Sequence, residues 1–194
     1  MLESIETIYD TFSEGEFVVV FDEEREEEGD FFILAEHITP EKINFLLKNA
    51  RGQICVACAP EILDNLDISL LCEDNENPHG TNFTMTVDAA ENVTTGVSAF
   101  DRAETIKILA NPSSRSTELV RPGHTFPLLA QNPLKRFGHT EAAVELSKKC
   151  GKLPVVVICE ILDEDGHKAS LEYLKKFKIP MTTLNIIKEK VVKK

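Results

Sequence analysis

Four short runs rich in β-branched and aromatic residues constrain this chain most: EFVVVF (16–21), DFFILAE (30–36), QICVACA (53–59) and LPVVVICEIL (153–162). Runs of this length, bounded by polar and turn residues, read as strands of a largely buried sheet. FTMTVDA (83–89) alternates with period two and reads as a further strand, and TFPLLAQ (125–131) adds another. Helical spacing falls between them. Ile5, Ile8 and Phe12 follow a possible cap at Ser4 and stop at Gly15, and Thr39-Pro40 starts a second helix with proline where its missing N–H costs nothing. SAFDRAETIKILA begins like a capping box, with Ser98 three residues before Asp101, and GHTEAAVELSKKCG places lysines in its last turn before Gly151. After residue 165 the pattern predicts one more amphipathic helix, a short strand beyond Pro180 and a solvated basic end. Helices and strands mix without strict alternation, which predicts an α+β fold with a mixed β-sheet.

At 194 residues, with no Pro/Gly/Ser-rich linker, the chain is expected to form one domain over 1–194. MLESIETIYDTF lacks the basic start and unbroken apolar run of a signal peptide, and no apolar stretch has the length of a membrane span. A cytoplasmic protein without a membrane partner is expected. Its five cysteines, several inside apolar runs, suit reduced and mostly buried thiols. A net charge of −12 argues against nucleic acid as a partner, and an anionic substrate would need local arginines or a metal to reverse the field.

Three stretches could carry chemistry. The first, FDEEREEEGD (21–30), crowds acidic residues around Arg25 on the connection between two strands. Its mutual repulsion finds a reason if a divalent cation binds there, and oxygen-rich sites suit Mg²⁺ or Mn²⁺. RPGHT (121–125) and RFGHT (136–140) repeat one pattern, in which glycine permits a tight turn while arginine and threonine suit phosphate or sugar hydroxyls. The second copy opens a predicted helix, whose N-terminus favours an anion. NVTTGVSAFDR (92–102) runs small hydroxylated residues into another helix start, although it lacks the lysine of a P-loop. Cys55 and Cys58 form C-x-x-C without a second ligand pair at zinc spacing, and DNENPHG breaks the EF-hand pattern.

DEEREEEGD, GQICVA, HGTNFTMTVDA, VTTGVSAFDR, RPGHTFPLLA, RFGHTEAAVEL and VICEILDEDG together resemble the 3,4-dihydroxy-2-butanone-4-phosphate synthase family, through nearly the whole chain. The resemblance implies a three-layer α/β/α-type domain. It implies a lyase of riboflavin biosynthesis that converts D-ribulose 5-phosphate into L-3,4-dihydroxy-2-butanone 4-phosphate and formate, uses Mg²⁺ or Mn²⁺, and acts as a homodimer with shared active sites. Carried onto this sequence, Glu26 and His139 would be metal ligands. Arg25, Glu26, Asp30, Thr95, Arg136, Gly138, His139, Thr140 and Glu160 would contact substrate. His124, Glu160 and Asp30 would serve catalysis, with Cys55 close to the substrate and Glu28 in the pool of proton carriers.

The acidic loop would then be a lid, disordered when empty and drawn inward by metal and substrate, with Glu23, Glu24 and Glu27 merely solvating it. DGHKAS (165–170) departs from the family's common D-G-x-M-A-R pattern at Lys168 and Ser170, outside the metal motifs. The cysteine-rich zinc motif of a downstream GTP cyclohydrolase II domain is absent, so a monofunctional form is expected. A sugar-phosphate isomerase or aldolase would share enediolate stabilisation but release no formate. A non-catalytic metabolite-binding module would not need Glu26, His124, His139 and Glu160 together.

Overall fold

The computed structural model describes residues 2–192. After α1 (Ile5–Ser13), where Ser4 Oγ accepts the Thr7 N–H, the acidic run connects β1 (Val18–Phe21) and β2 (Gly29–Leu34) as an antiparallel hairpin. α2 (Pro40–Asn49) starts at Thr39, whose hydroxyl accepts the Lys42 N–H, and β3 (Arg51–Cys58) and α3 (Pro60–Asn65) follow. Then come β4 (Asn82–Phe83), β5 (Val87–Ala89), α4 (Ala99–Leu109), β6 (Leu119–Leu129) and α5 (His139–Lys149). β7 (Val155–Ile161), α6 (Leu171–Leu174), β8 (Met181–Thr183) and α7 (Leu184–Val191) complete the described chain.

The strands form one mixed sheet in the order β4-β6-β3-β7-β2-β1-β8, with β5 on β6. β3/β6 and β1/β8 are parallel and the remaining pairs antiparallel. The unbroken apolar runs find their reason here, because both faces are covered. Val19, Phe31, Ile33, Val56 and Val157 face α2 and α4, while Val18, Val20, Phe32, Leu34, Ala57 and Val156 face α1, α5 and α7. The result is three layers, with the mixed sheet between two sets of helices. Among the described residues no helix is long and apolar enough to cross a membrane.

Three local expectations are corrected. FTMTVDA is not one strand but two, because its partner β6 carries Pro122 and Pro127, which have no N–H to give a ladder; Thr84 instead donates both N–H and Oγ to the Pro127 carbonyl. RPGHT lies inside β6 rather than at a turn. Glycine is needed at 123 for close approach, since a Cβ there would stand 2.1 Å from the Val87 carbonyl carbon. The basic end folds as α7, where Leu184 and Ile187 are buried at helical spacing and the Thr183 hydroxyl caps the first turn. Lys193 and Lys194 lie outside the described residues.

Candidate active site

Side-chain alternation sends Asp30 on β2, Cys55 on β3 and Glu160 on β7 to the same sheet face as Phe32, Ala57 and Ile158, the face covered by α5. There they line a cavity of about 420 Å³ together with Arg25, Glu26, Glu28, Arg136, His139 and Thr140. Asp30 and Glu160 are directly paired across β2 and β7. A register shift between Arg51 and Ile54 bends β3 beside them and lets the Gln53 N–H donate to Glu160 Oε2 at 2.9 Å. Asp30 is almost wholly buried and its Oδ1 has no hydrogen-bond partner.

The acidic run folds as a turn on the Asp22 carboxylate. Buried Asp22 accepts the N–H groups of Glu24, Arg25 and Glu26 with its carboxylate, at 3.0, 3.1 and 3.3 Å. This fold aims Glu26 Oε2 at His139 Nδ1, 3.6 Å away, and Oε1 at His79 Nδ1, 3.4 Å away. Ligand atoms of Glu26, Glu28 and His139 lie within 4.8 Å of one another. Glu28 thus stands with Glu26 and His139, the pair that the resemblance implies as metal ligands. His139 Nε2 stands 3.2 Å from the Val20 carbonyl and 3.9 Å from Asp30 Oδ1. A proton held on Nε2 by that carbonyl leaves the Nδ1 lone pair facing Glu26.

The phosphate-suited side of the cavity is organised by buried Glu141. Its carboxylate pairs with Arg136 and also accepts the N–H groups of Gly138 (3.0 Å) and Gln131 (2.9 Å). The helix start of α5 is therefore partly occupied by the chain's own carboxylate. Arg136 also donates Nε to the His79 carbonyl and Nη2 to Thr81 Oγ1, both at 2.9 Å, which fastens the 77–81 loop over the cavity. Asn77, His79 and Thr81 line the site from this loop. The sequence reading missed them as functional residues, although HGTNFTMTVDA contained two of the three.

Electrostatics shows what the cluster lacks. Pairing with His139 holds Glu26 at about 2, whereas burial and Glu26 push Glu28 up to about 7. Burial raises Asp30 well above the carboxylate range and raises Glu160 as well. On His139 burial acts downward, but Asp30, Glu26 and Glu28 outweigh it and lift the imidazole to about 9. Protons are retained where isolated groups would have lost them, because four carboxylates crowd one buried end of the sheet. A divalent cation satisfies the same need, and its hard oxygen-rich preference matches this donor set. Cys55, buried beside Glu160, has its thiol pushed well above the usual range by burial, so it faces the cavity neutral.

Thr95 and His124 do not line this cavity within one chain. His124 is held by Asp88, whose Oδ1 accepts its backbone N–H at 2.8 Å and whose Oδ2 meets Nδ1 at 2.7 Å. Half of the His124 side chain is exposed. The backbone N–H groups of Thr94 and Gly96 that could have met an anion are taken by Asp101, at 3.1 and 3.0 Å. Lys168, outside the metal motifs in sequence, lies in the cavity wall, and its Nζ donates to the Glu26 carbonyl.

A family model described as 3,4-dihydroxy-2-butanone 4-phosphate synthase matches residues 6–192. The chain belongs to this family. The riboflavin biosynthesis protein RibBA of Bacillus mycoides is 46% identical over 191 residues, covering 95% of this chain and 48% of the relative. The chain thus spans about half the length of the curated relatives it matches. A solved family structure, a synthase in complex with two magnesium ions, superposes with a TM-score of 0.90 at 35% identity, covering 98% of this chain and 97% of that one. The Candida albicans synthase gives 0.89 at 40% identity, with both chains covered in full. The family fold expected from the motifs is therefore the fold observed.

Proposed function

We propose that this chain converts D-ribulose 5-phosphate into L-3,4-dihydroxy-2-butanone 4-phosphate and formate, as a lyase of riboflavin biosynthesis. The observation that carries the reading is the convergence of Glu26, Glu28 and His139 on one point, faced by Asp30 and Glu160 and flanked by Arg25 and Arg136, on the family's fold. Glu26 and His139, with Glu28 beside them, would hold Mg²⁺ or Mn²⁺. Such an ion supplies Lewis acidity to the substrate's oxygens when bound.

The remaining work falls to the chain. Arg25, Arg136 and Thr140, with the backbone at the start of α5 beyond Gly138, hold the phosphate end and set the distance of the sugar carbons from the sheet. Asp30 and Glu160, both raised in pKa, take up and return protons beside the carbonyl and during loss of the hydroxyl. Cys55 closes the wall as a neutral thiol. Such a site treats its acids as carriers of protons rather than as fixed charges.

We read the working form as a homodimer in the cytoplasm. Thr95 and His124 do not line their own cavity, and Val97 and Val120, near them in sequence, are exposed together with Phe100. A second copy seated there buries these apolar groups and brings Thr95 and His124 to its own cavity. Chain 1–194 acts in this reading as one catalytic domain, without nucleic acid or membrane.

Purified protein incubated with ribulose 5-phosphate and Mg²⁺ is expected to release formate, and a chelator to stop it. Folded protein that consumes the substrate without formate would instead be an isomerase or aldolase. Glu26→Gln is expected to remove most turnover while the protein stays folded.

A further inference from the structure

Lys168 is held in place by its own turn. Asp163 Oδ1 accepts the N–H groups of Asp165 and His167 at 3.0 and 2.9 Å, Lys168 bridges to Leu162, and the Ala169 N–H donates to the Ile161 carbonyl at 2.9 Å. These bonds fix the Lys168 backbone to the end of β7. From that base Nζ crosses to the carbonyl oxygen of Glu26, near the apex of the acidic turn. Two other ties reach the same turn: Asn185 Nδ2 donates to Glu24 Oε1 at 2.9 Å, and Arg25 Nη1 to the Phe137 carbonyl at 3.4 Å.

We propose that Lys168 is a positioning residue, a latch that holds the acidic turn over the cavity before metal or substrate arrives. The turn needs one. Glu23, Glu24, Glu26, Glu27 and Glu28 repel one another, and Arg25 is the only cation among them. Glu27 also sits at φ 48, in the left-handed region that non-glycine residues rarely occupy. An ammonium on a backbone carbonyl opposes both tendencies and does so without consuming a carboxylate that the metal requires. Glu26 is thereby kept beside His139 in the resting protein.

The inference rests on the reading of Glu26 as a metal ligand, so its test is made without metal, substrate or turnover. Hydrogen exchange is followed in the metal-free, full-length protein for peptides covering residues 22–28, with β7 and α5 peptides as internal controls. Lys168→Met is expected to speed exchange in 22–28 by about threefold to tenfold, the range an ordinary hydrogen bond spans when its donor is exposed to solvent. Lys168→Arg is expected to keep the wild-type rate, and β7 and α5 to stay unchanged in both. Equal rates in wild type and Lys168→Met would overturn the latch. Acceleration that spreads equally through β7 would overturn it too, because Lys168 would then be a packing residue of its own hairpin. Metal affinity is the poorer judge, since removing a cation beside Glu26 and Glu28 strengthens divalent binding by charge alone, against the effect of a lost latch.

Discussion

Asp30 and Glu160 stand directly opposite each other on neighbouring strands, two acids on one buried sheet face where cross-strand partners are ordinarily apolar or of opposite charge. No stability argument favours the arrangement. Burial raises both groups, with Glu160 adding to the rise of Asp30 and Glu26 to that of Glu160, which costs the fold something and leaves two proton carriers side by side.

Asp30→Asn is accordingly expected to stabilise the metal-free protein by about 1 kcal/mol while lowering turnover roughly 10²–10⁴-fold. The pH dependence has a fixed sign. A carboxyl raised above its unfolded value contributes full stability below that value and loses it as pH rises toward the folded one. The gain of the variant over wild type should therefore be small near pH 4 and grow toward pH 8, as melting temperatures in chelator would record.

Divalent metal should bind more tightly as pH rises. Glu28 near 7 and His139 near 9 both hold protons that an ion must displace, so the affinity climbs through that interval. Calorimetric titration with Mn²⁺ in buffers of differing ionisation enthalpy is expected to count about one to two protons released per ion at pH 7. No proton release would mean that His139 is not a ligand.

Mixing inactive Glu26→Gln with inactive His124→Ala should restore activity. In a mixed dimer one cavity carries both substitutions and the other neither, so random re-association gives roughly a quarter of wild-type formate production. Asp88→Asn, which keeps size but weakens the grip on Nδ1 of His124, is expected to lower kcat with little change in substrate KM. Failure of the mixture to recover would place both residues in one chain's site.

Removing the Glu141 carboxylate is a matter of stability first. Glu141→Ala strands Arg136 and the N–H groups of Gly138 and Gln131, and is expected to cost about 3–5 kcal/mol in urea unfolding. Glu141→Gln keeps a carbonyl acceptor for part of that set and should cost less, with a raised KM for the phosphosugar.

Much of the fold was legible because its signals are local. Apolar runs announced β1, β2, β3 and β7, and the caps Ser4, Thr39 and Ser98 marked helices where they occur. β4 and β5 were merged because the break between them originates in the prolines of β6, distant in sequence. α7 was hidden by its lysines. In the candidate site, Glu26, Asp30, His139 and Glu160 were reached through motifs and do converge. Glu28's place beside them, Asp88's hold on His124 and Lys168's reach to Glu26 all depend on tertiary contacts, which no spacing within one segment encodes. The resemblance located the motifs; only the fold shows that Thr95 and His124 leave their own cavity.

The parallel pairing of β1 with β8 has a bearing on biosynthesis. During translation β1 emerges first of all strands, yet the neighbour that seals its outer hydrogen-bonding edge emerges after every other strand described. For that interval Val18, Val19 and Val20 offer a ribosome-bound chain an open, aggregation-competent margin. Holdase chaperones would find their handle there, and slowed elongation just upstream of Met181 would lengthen the exposure.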